Sequence, residues 1–141
     1  MSVLPCSMCT RWTDDVDLRI MEFSHSYLVL NRDQFFPGYC LLFTREHVTE
    51  LFHLERQVRQ ELMEEVCRVA AVLAPLFRAD KINYELLGNM VPHIHWHLVP
   101  RRGDDPLWPR PIWAEPHREL LLTPEAYRER TAAIRQALEA A

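Results

Sequence analysis

Residues 93 to 97 read His-Ile-His-Trp-His. On a β-strand successive side chains point to opposite faces, so His93, His95 and His97 project to one side while Ile94, Trp96 and Leu98 project to the other. One face is apolar and calls for burial. The other presents three imidazoles, the side chain best suited near neutral pH to act as nucleophile, acid, base or metal ligand. A single histidine is ordinarily a hydrogen-bonded structural residue, but that account does not explain three of the chain's seven histidines on one strand face.

The flanking sequence supplies a sheet and its cover. Leu18–Phe23, Tyr27–Leu30 and Tyr39–Thr44 are short apolar runs separated by the turn-forming His25-Ser26 and Phe36-Pro37-Gly38, the pattern of a meander. From about Leu54 to Phe77 the apolar residues Leu54, Val58, Leu62, Val66, Val69, Leu73 and Leu76 recur every three or four positions, which predicts an amphipathic helix. Arg56, Arg59, Gln60, Glu64 and Arg68 fall on its solvated side, and Pro75 ends or kinks its last turn. Ile82–Leu87 reads as another strand, Gly88-Asn89 as a turn and Ile94–Val99 as the histidine strand.

Between Pro100 and Pro116 no period is visible, yet Trp108 and Trp113 predict an ordered loop, because rings of that size are usually buried. Thr123-Pro124-Glu125 is a helix-start signature, and a C-terminal helix runs to about Glu139. The fold class is α+β: an antiparallel five-stranded sheet with a long helix and a C-terminal helix, with the histidines exposed on the face away from the packed helix.

Composition narrows the function. At 141 residues and 48% hydrophobic content the chain suits one domain, residues 1–141. A formal net charge of -4 argues against a general nucleic-acid surface or a polybasic membrane contact, so an anionic ligand has to be held by local geometry. The apolar runs are too short and too often charged to span a membrane, and the start Met-Ser-Val-Leu-Pro-Cys lacks a signal-sequence pattern; a cytoplasmic location is expected. Disulfides are not expected in that compartment, and Cys40 and Cys67 read as small core residues. Cys6-x-x-Cys9 differs, since this spacing lets two thiolates share a zinc ion or act as a redox pair.

His93-Ile94-His95-Trp96-His97-Leu98-Val99 resembles the His-φ-His-φ-His-φ-φ signature of the histidine triad (HIT) family of nucleotide hydrolases and transferases. Asn31, Pro37-Gly38, the run from Tyr39 to Arg45-Glu46-His47, the helix, and Gly88-Asn89 ahead of the triad fall where that family has equivalent features. The likeness covers about residues 6–102, leaving 103–141 as a C-terminal loop and helix, and Asn83-Tyr84-Glu85-Leu86-Leu87-Gly88-Asn89 is most similar to bacterial members labelled diadenosine tetraphosphate hydrolases. The resemblance implies that His95 attacks an α-phosphate to give a nucleotidyl-histidine intermediate, its Nδ1–H held by the backbone carbonyl of the first triad histidine. It implies that His97 protonates or hydrogen-bonds the leaving oxygen. It also implies that Asn31 contacts the ribose while Asn83, Asn89 and the backbone N–H of Val91 lie near the phosphates.

The chain departs from the family pattern twice. Tyr39 stands where many members carry a fourth active-site histidine; it can donate a hydrogen bond but cannot carry positive charge. Met90 stands where many place Ser or Thr. Zinc-containing relatives imply a structural site built from Cys6, Cys9, His47 and His93, and relatives imply a homodimer; no organic cofactor is expected. Two other functions compete: a nucleotide-binding regulatory module with little turnover, and a metalloenzyme in which all three histidines bind one catalytic metal.

Overall fold

In a computed structural model, described here for residues 5–141, the chain forms α1 (Ser7–Asp14), β1 (Arg19–Glu22), β2 (Ser26–Leu30), β3 (Cys40–Thr44), α2 (Arg56–Leu76), β4 (Lys81–Glu85), β5 (His95–Arg101) and α3 (Pro124–Ala140). The strands make one five-stranded antiparallel sheet in the order β1-β2-β3-β5-β4, with the histidine strand flanked on both sides. Register assigns the faces, because residues paired across an antiparallel ladder project the same way. Leu41 and Glu85 pair with His97, Phe43 pairs with His95 and Asn83 with Val99, so all four share the histidine face. Cys40 and Leu42, paired with Leu98 and Trp96, line the other face.

That second face is covered by helices. α2 buries Leu62, Val66, Val69, Ala70, Val72 and Leu73, the stripe its period of three to four residues implies. Its Glu65 accepts hydrogen bonds from Ser26 Oγ at 2.6 Å and from the His25 amide at 3.0 Å, fixing the helix over the β2 end of the sheet. α3 starts as expected, the Thr123 side chain accepting from the Ala126 amide and Pro124 filling the first turn. It buries Tyr127, Thr131, Ile134 and Leu138, and Arg68 of α2 donates to the Leu138 carbonyl. Gly38 explains how the end of α2 closes over the start of β3. Its φ is +89°, and a Cβ there would lie 2.5 Å from the Phe77 ring.

Several expectations are corrected. β4 ends at Glu85 instead of Leu87, and α2 begins at Arg56 after a separate short turn, Leu51–His53. His93 and Ile94 precede β5, whose pairing runs on to Arg101; Ile94 is held by its amide to the Val48 carbonyl and by its carbonyl to the Thr44 amide. The histidine face is not open. α1, which the sequence pattern did not reveal, covers it by burying Met8 and by stacking Trp12 on Tyr27 at 4.5 Å, and His93 and His95 are only 1% and 7% exposed.

The segment after β5 is ordered by successive backbone turns, but buried Leu107 and Ile112 anchor it, while Trp108 and Trp113 remain 37% and 57% exposed. The smaller side chains reach the core, and Trp113 instead directs its indole N–H to the Glu85 carboxylate. The reading that the start lacks a signal sequence falls largely on residues 1–4, outside the described residues. Among the described residues no helix is long and apolar enough to cross a membrane.

Candidate active site

His93 leaves the triad for a different neighbourhood. Its Nε2 lies 2.8 Å from the Thr44 carbonyl, which can only accept, so the proton sits on Nε2 and Nδ1 keeps its lone pair. That Nδ1 lies 3.4 Å from Cys6 Sγ and 3.6 Å from Cys9 Sγ, and Cys9 Sγ lies 3.3 Å from His47 Nδ1. The four ligand atoms fall within 4.8 Å of one another. A zinc ion with ordinary bond lengths to sulfur and nitrogen sets a sulfur-to-nitrogen edge of about 3.5 Å in its tetrahedron. The donor set and its spacing therefore fit zinc, and the Thr44 carbonyl supplies the outer contact that orients a metal-binding imidazole. The first turn of α1, where the Cys9 amide bonds the Cys6 carbonyl, brings the two thiols to the same side.

His95 stays on the strand. Its Nδ1 lies 2.6 Å from the backbone carbonyl of His93, an acceptor, so Nδ1 holds the proton and Nε2 is left as an unshared, nucleophilic lone pair. One residue thus links both centres: His93 faces the Cys/His cluster with its ring and orients His95 with its carbonyl. His97 is different again. Its Nδ1 lies 2.5 Å from the Tyr39 hydroxyl, and its ring meets the Trp113 ring edge-on at 5.5 Å. Burial, and secondarily the nearby His95, pushes the His97 pKa down to about 4, so the ring is neutral at pH 7. Burial also holds the Tyr39 phenol well above its usual range, reinforced by the negative Glu85 and Asp33.

These groups open into a cleft of about 480 Å3 that Asn31, Tyr39, His95, His97, Asn89 and Val91 help to line. Of the residues expected near substrate, only Asn83 is elsewhere. It sits on the histidine face beyond Glu85, and its Oδ1 accepts from the buried Arg101 guanidinium at 2.9 Å. Met90, 94% exposed, presents no hydroxyl. Trp113, expected near the active site or a dimer contact, lines the cleft, whereas the polar lining residues Arg11, Asp33 and His117 escaped the sequence reading. Asp33 had a faint signal, being two residues beyond Asn31. His117 had none, because only folding brings the C-terminal segment back, where its ring stacks on Phe35 and its Nε2 lies 2.8 Å from Asp33 Oδ2. Although burial works against it, bonds from the Leu120 amide, His117 and the Phe35 amide keep the Asp33 carboxyl below its usual pKa.

Size alone does not select this cleft. A groove of about 660 Å3 beside α3 is larger, but its Arg19 and Arg135 are spent on backbone carbonyls and its Arg32 on Asp17.

The five-stranded antiparallel sheet thus holds the histidine run between this cleft and the Cys/His cluster. The HIT domain family model matches residues 14–104, and the chain belongs to that family. A histidine triad protein from Bradyrhizobium japonicum is similar at 29% identity, with a TM-score of 0.81 over 95% of this chain and 99% of that one. A second, from Sinorhizobium meliloti, is 30% identical, with a TM-score of 0.78 over 85% and 88% of the two chains. A zinc-bound histidine triad family protein from Mycobacterium smegmatis shares the fold at 24% identity, with a TM-score of 0.69 over 96% and 94%. No curated protein matches the chain.

Proposed function

We propose that this protein is a nucleotide hydrolase or nucleotidyl transferase that acts at the α-phosphate of a dinucleoside polyphosphate or related nucleotide, in the manner of the diadenosine polyphosphate hydrolase branch. The observation that carries this reading is the 2.6 Å contact from His95 Nδ1 to the His93 carbonyl, which leaves His95 Nε2 free to attack phosphorus. Attack forms the Nε2–P bond and expels the leaving group; water then displaces His95 from the nucleotidyl-histidine. His97, beside it, hydrogen-bonds the departing group. Asn31 takes the ribose, and Asn89 with the Val91 amide takes the phosphates, neutral donors that orient oxygen atoms without requiring a basic surface. Asn83 has no direct part in this scheme, since Arg101 engages it.

Cys6, Cys9, His47 and His93 would hold zinc, a reading supported by the likeness to the zinc-bound relative and by four ligand atoms within 4.8 Å of one another. Four protein ligands would make this a closed structural site, in which Cys6, Cys9, His47 and His93 tie α1 to the start of the triad. We further propose a cytoplasmic homodimer. The metalloenzyme alternative loses its footing because the three triad rings do not converge: His93 faces the thiols, His95 the cleft and His97 the Tyr39 hydroxyl. The regulatory-module alternative draws on Tyr39 and Met90, and turnover decides it.

Rapid quench with an α-labelled dinucleoside polyphosphate is the test. Wild-type protein should trap acid-labile, base-stable label, while His95→Ala should trap none, lose at least about a thousandfold in turnover and keep its nucleotide affinity. Wild-type turnover by His95→Ala would end this reading.

A further inference from the structure

Tyr39 is 6% exposed, and among the described residues its hydroxyl has one hydrogen-bond partner, His97 Nδ1. The phenol is the better donor and the imidazole nitrogen the better acceptor, so the O–H points at Nδ1 and His97 carries its own proton on Nε2. This arrangement has a consequence for proton transfer. For His97 to release the Nε2 proton, its Nδ1 must either take the Tyr39 proton, leaving a buried phenolate, or remain bare, leaving an imidazolate. Burial disfavours both anions, and the negative Glu85 and Asp33 disfavour the phenolate further. The alternative, a protonated His97 waiting to act as an acid, is removed by the same burial, which keeps that ring neutral at pH 7.

We propose that Tyr39 sets the leaving-group specificity of the site, holding His97 as a hydrogen-bond donor that does not surrender its proton and so selecting α-phosphates whose displaced group departs as a stable anion. This rests on the nucleotidyl-histidine reading above and narrows its substrate class to acid anhydrides. The first step balances without any proton transfer. The His95 Nε2 lone pair forms the N–P bond, the bridging P–O bond breaks, and its electron pair leaves on the displaced phosphate while His97 Nε2–H bonds that oxygen. In the second step water oxygen bonds phosphorus, the N–P electron pair returns to His95, and the surplus water proton goes to solvent. A phosphoramidate, whose nitrogen must be protonated to leave, gains nothing from such a donor.

Tyr39 is here a positioning residue, and its test uses two probes with the same α-phosphate: diadenosine tetraphosphate and adenosine monophosphoramidate. Wild-type kcat/KM should favour the anhydride by about a hundredfold or more, the scale of a general acid's contribution. Tyr39→Phe removes the contact that keeps the His97 proton on Nε2, so the ring can shift to the Nδ1–H form that no longer donates to the leaving oxygen. The ratio should then narrow about tenfold, through loss on the anhydride. Nitrogen-correlated NMR of the imidazoles should show the Nε2–H form of His97 in the wild type. A wild-type preference for the phosphoramidate, an Nδ1–H form of His97, or a ratio that Tyr39→Phe leaves unchanged would each overturn the proposal. If label still accumulates on His95, only the specificity inference falls. If neither probe labels His95, the nucleotidyl-histidine reading falls and takes this inference with it.

Discussion

His93 and His97 stand at opposite ends of the same five-residue run, and each has one ring nitrogen engaged by a neighbour. At His93 the neighbour is a carbonyl, which draws the proton to Nε2 and leaves Nδ1 as a lone pair aimed at two thiols. At His97 the neighbour is a hydroxyl, which fills Nδ1 and leaves Nε2 as a donor. Identical side chains thus offer a lone pair to a pair of thiols in one place and an N–H donor in the other. Which nitrogen carries the proton is decided by what the fold sets beside the other nitrogen.

The largest effect expected from breaking this contrast is at the ligand end. Cys6→Ser combined with Cys9→Ser should abolish stoichiometric zinc in protein purified without a His-tag and lower Tm by roughly 10 °C or more, since a structural metal contributes directly to folding. Metal analysis and calorimetry would check both together, and a metal-free wild type of unchanged stability would remove the contrast.

The next effect lies farther along the same strand face, where Arg101 is 1% exposed and makes hydrogen bonds to both Asp105 oxygens, at 2.7 and 3.0 Å, and to Asn83. Arg101→Met leaves Asp105 and Asn83 without their donor. Urea unfolding should register a loss of about 3–5 kcal/mol, the cost of stranding one partner of a buried pair. A loss under about 1 kcal/mol would mean that the loop carrying Trp113 is held by Leu107 and Ile112 alone.

The smallest effect concerns protons at His97. Above its ordinary pKa of 6.5 the ring is neutral in both folded and unfolded chains; as pH falls from there the unfolded chain binds the proton first, and the folded chain follows only near 4. Stability from this residue is therefore present above about pH 6.5 and lost progressively down to about pH 4. The loss should be about 1–2 kcal/mol, allowing for partial solvent screening. The lowered carboxyls of Asp33 and Asp105 act beneath that window, below their ordinary value of 3.8. Buried His93, also held below 6.5, titrates in the same window, so His97→Gln should reduce but not abolish the slope between pH 6.5 and 4 in a series of denaturation midpoints; an unchanged slope would show that His97 titrates freely.

Much of this was legible in the residues. Alternation placed Trp96 and Leu98 against the helices and His95 and His97 opposite them, and the three-to-four spacing of Leu62, Val66, Val69 and Leu73 marked the helix that covers the sheet. Thr123-Pro124 marked the start of α3 because its capping bonds are local. α1 was missed: its eight residues bury only Met8, too little for a periodic stripe. Trp108 and Trp113 were expected to bury their rings, because the sequence did not show that Leu107 and Ile112 would occupy the core instead. His117 and Asp33 are 84 positions apart, a separation that no local pattern spans.

The sequence by itself therefore determined the strand, its two faces and the residue types available for chemistry, since these follow from backbone geometry and side-chain period over a few neighbouring residues. Tertiary structure alone decided what each histidine faces. His93 finds Cys6, 87 positions away, and His97 finds Tyr39, 58 positions away. A ring nitrogen's protonation, burial and aim depend on the atoms within a few ångströms of it, and those atoms arrive from distant parts of the chain only once the sheet has closed.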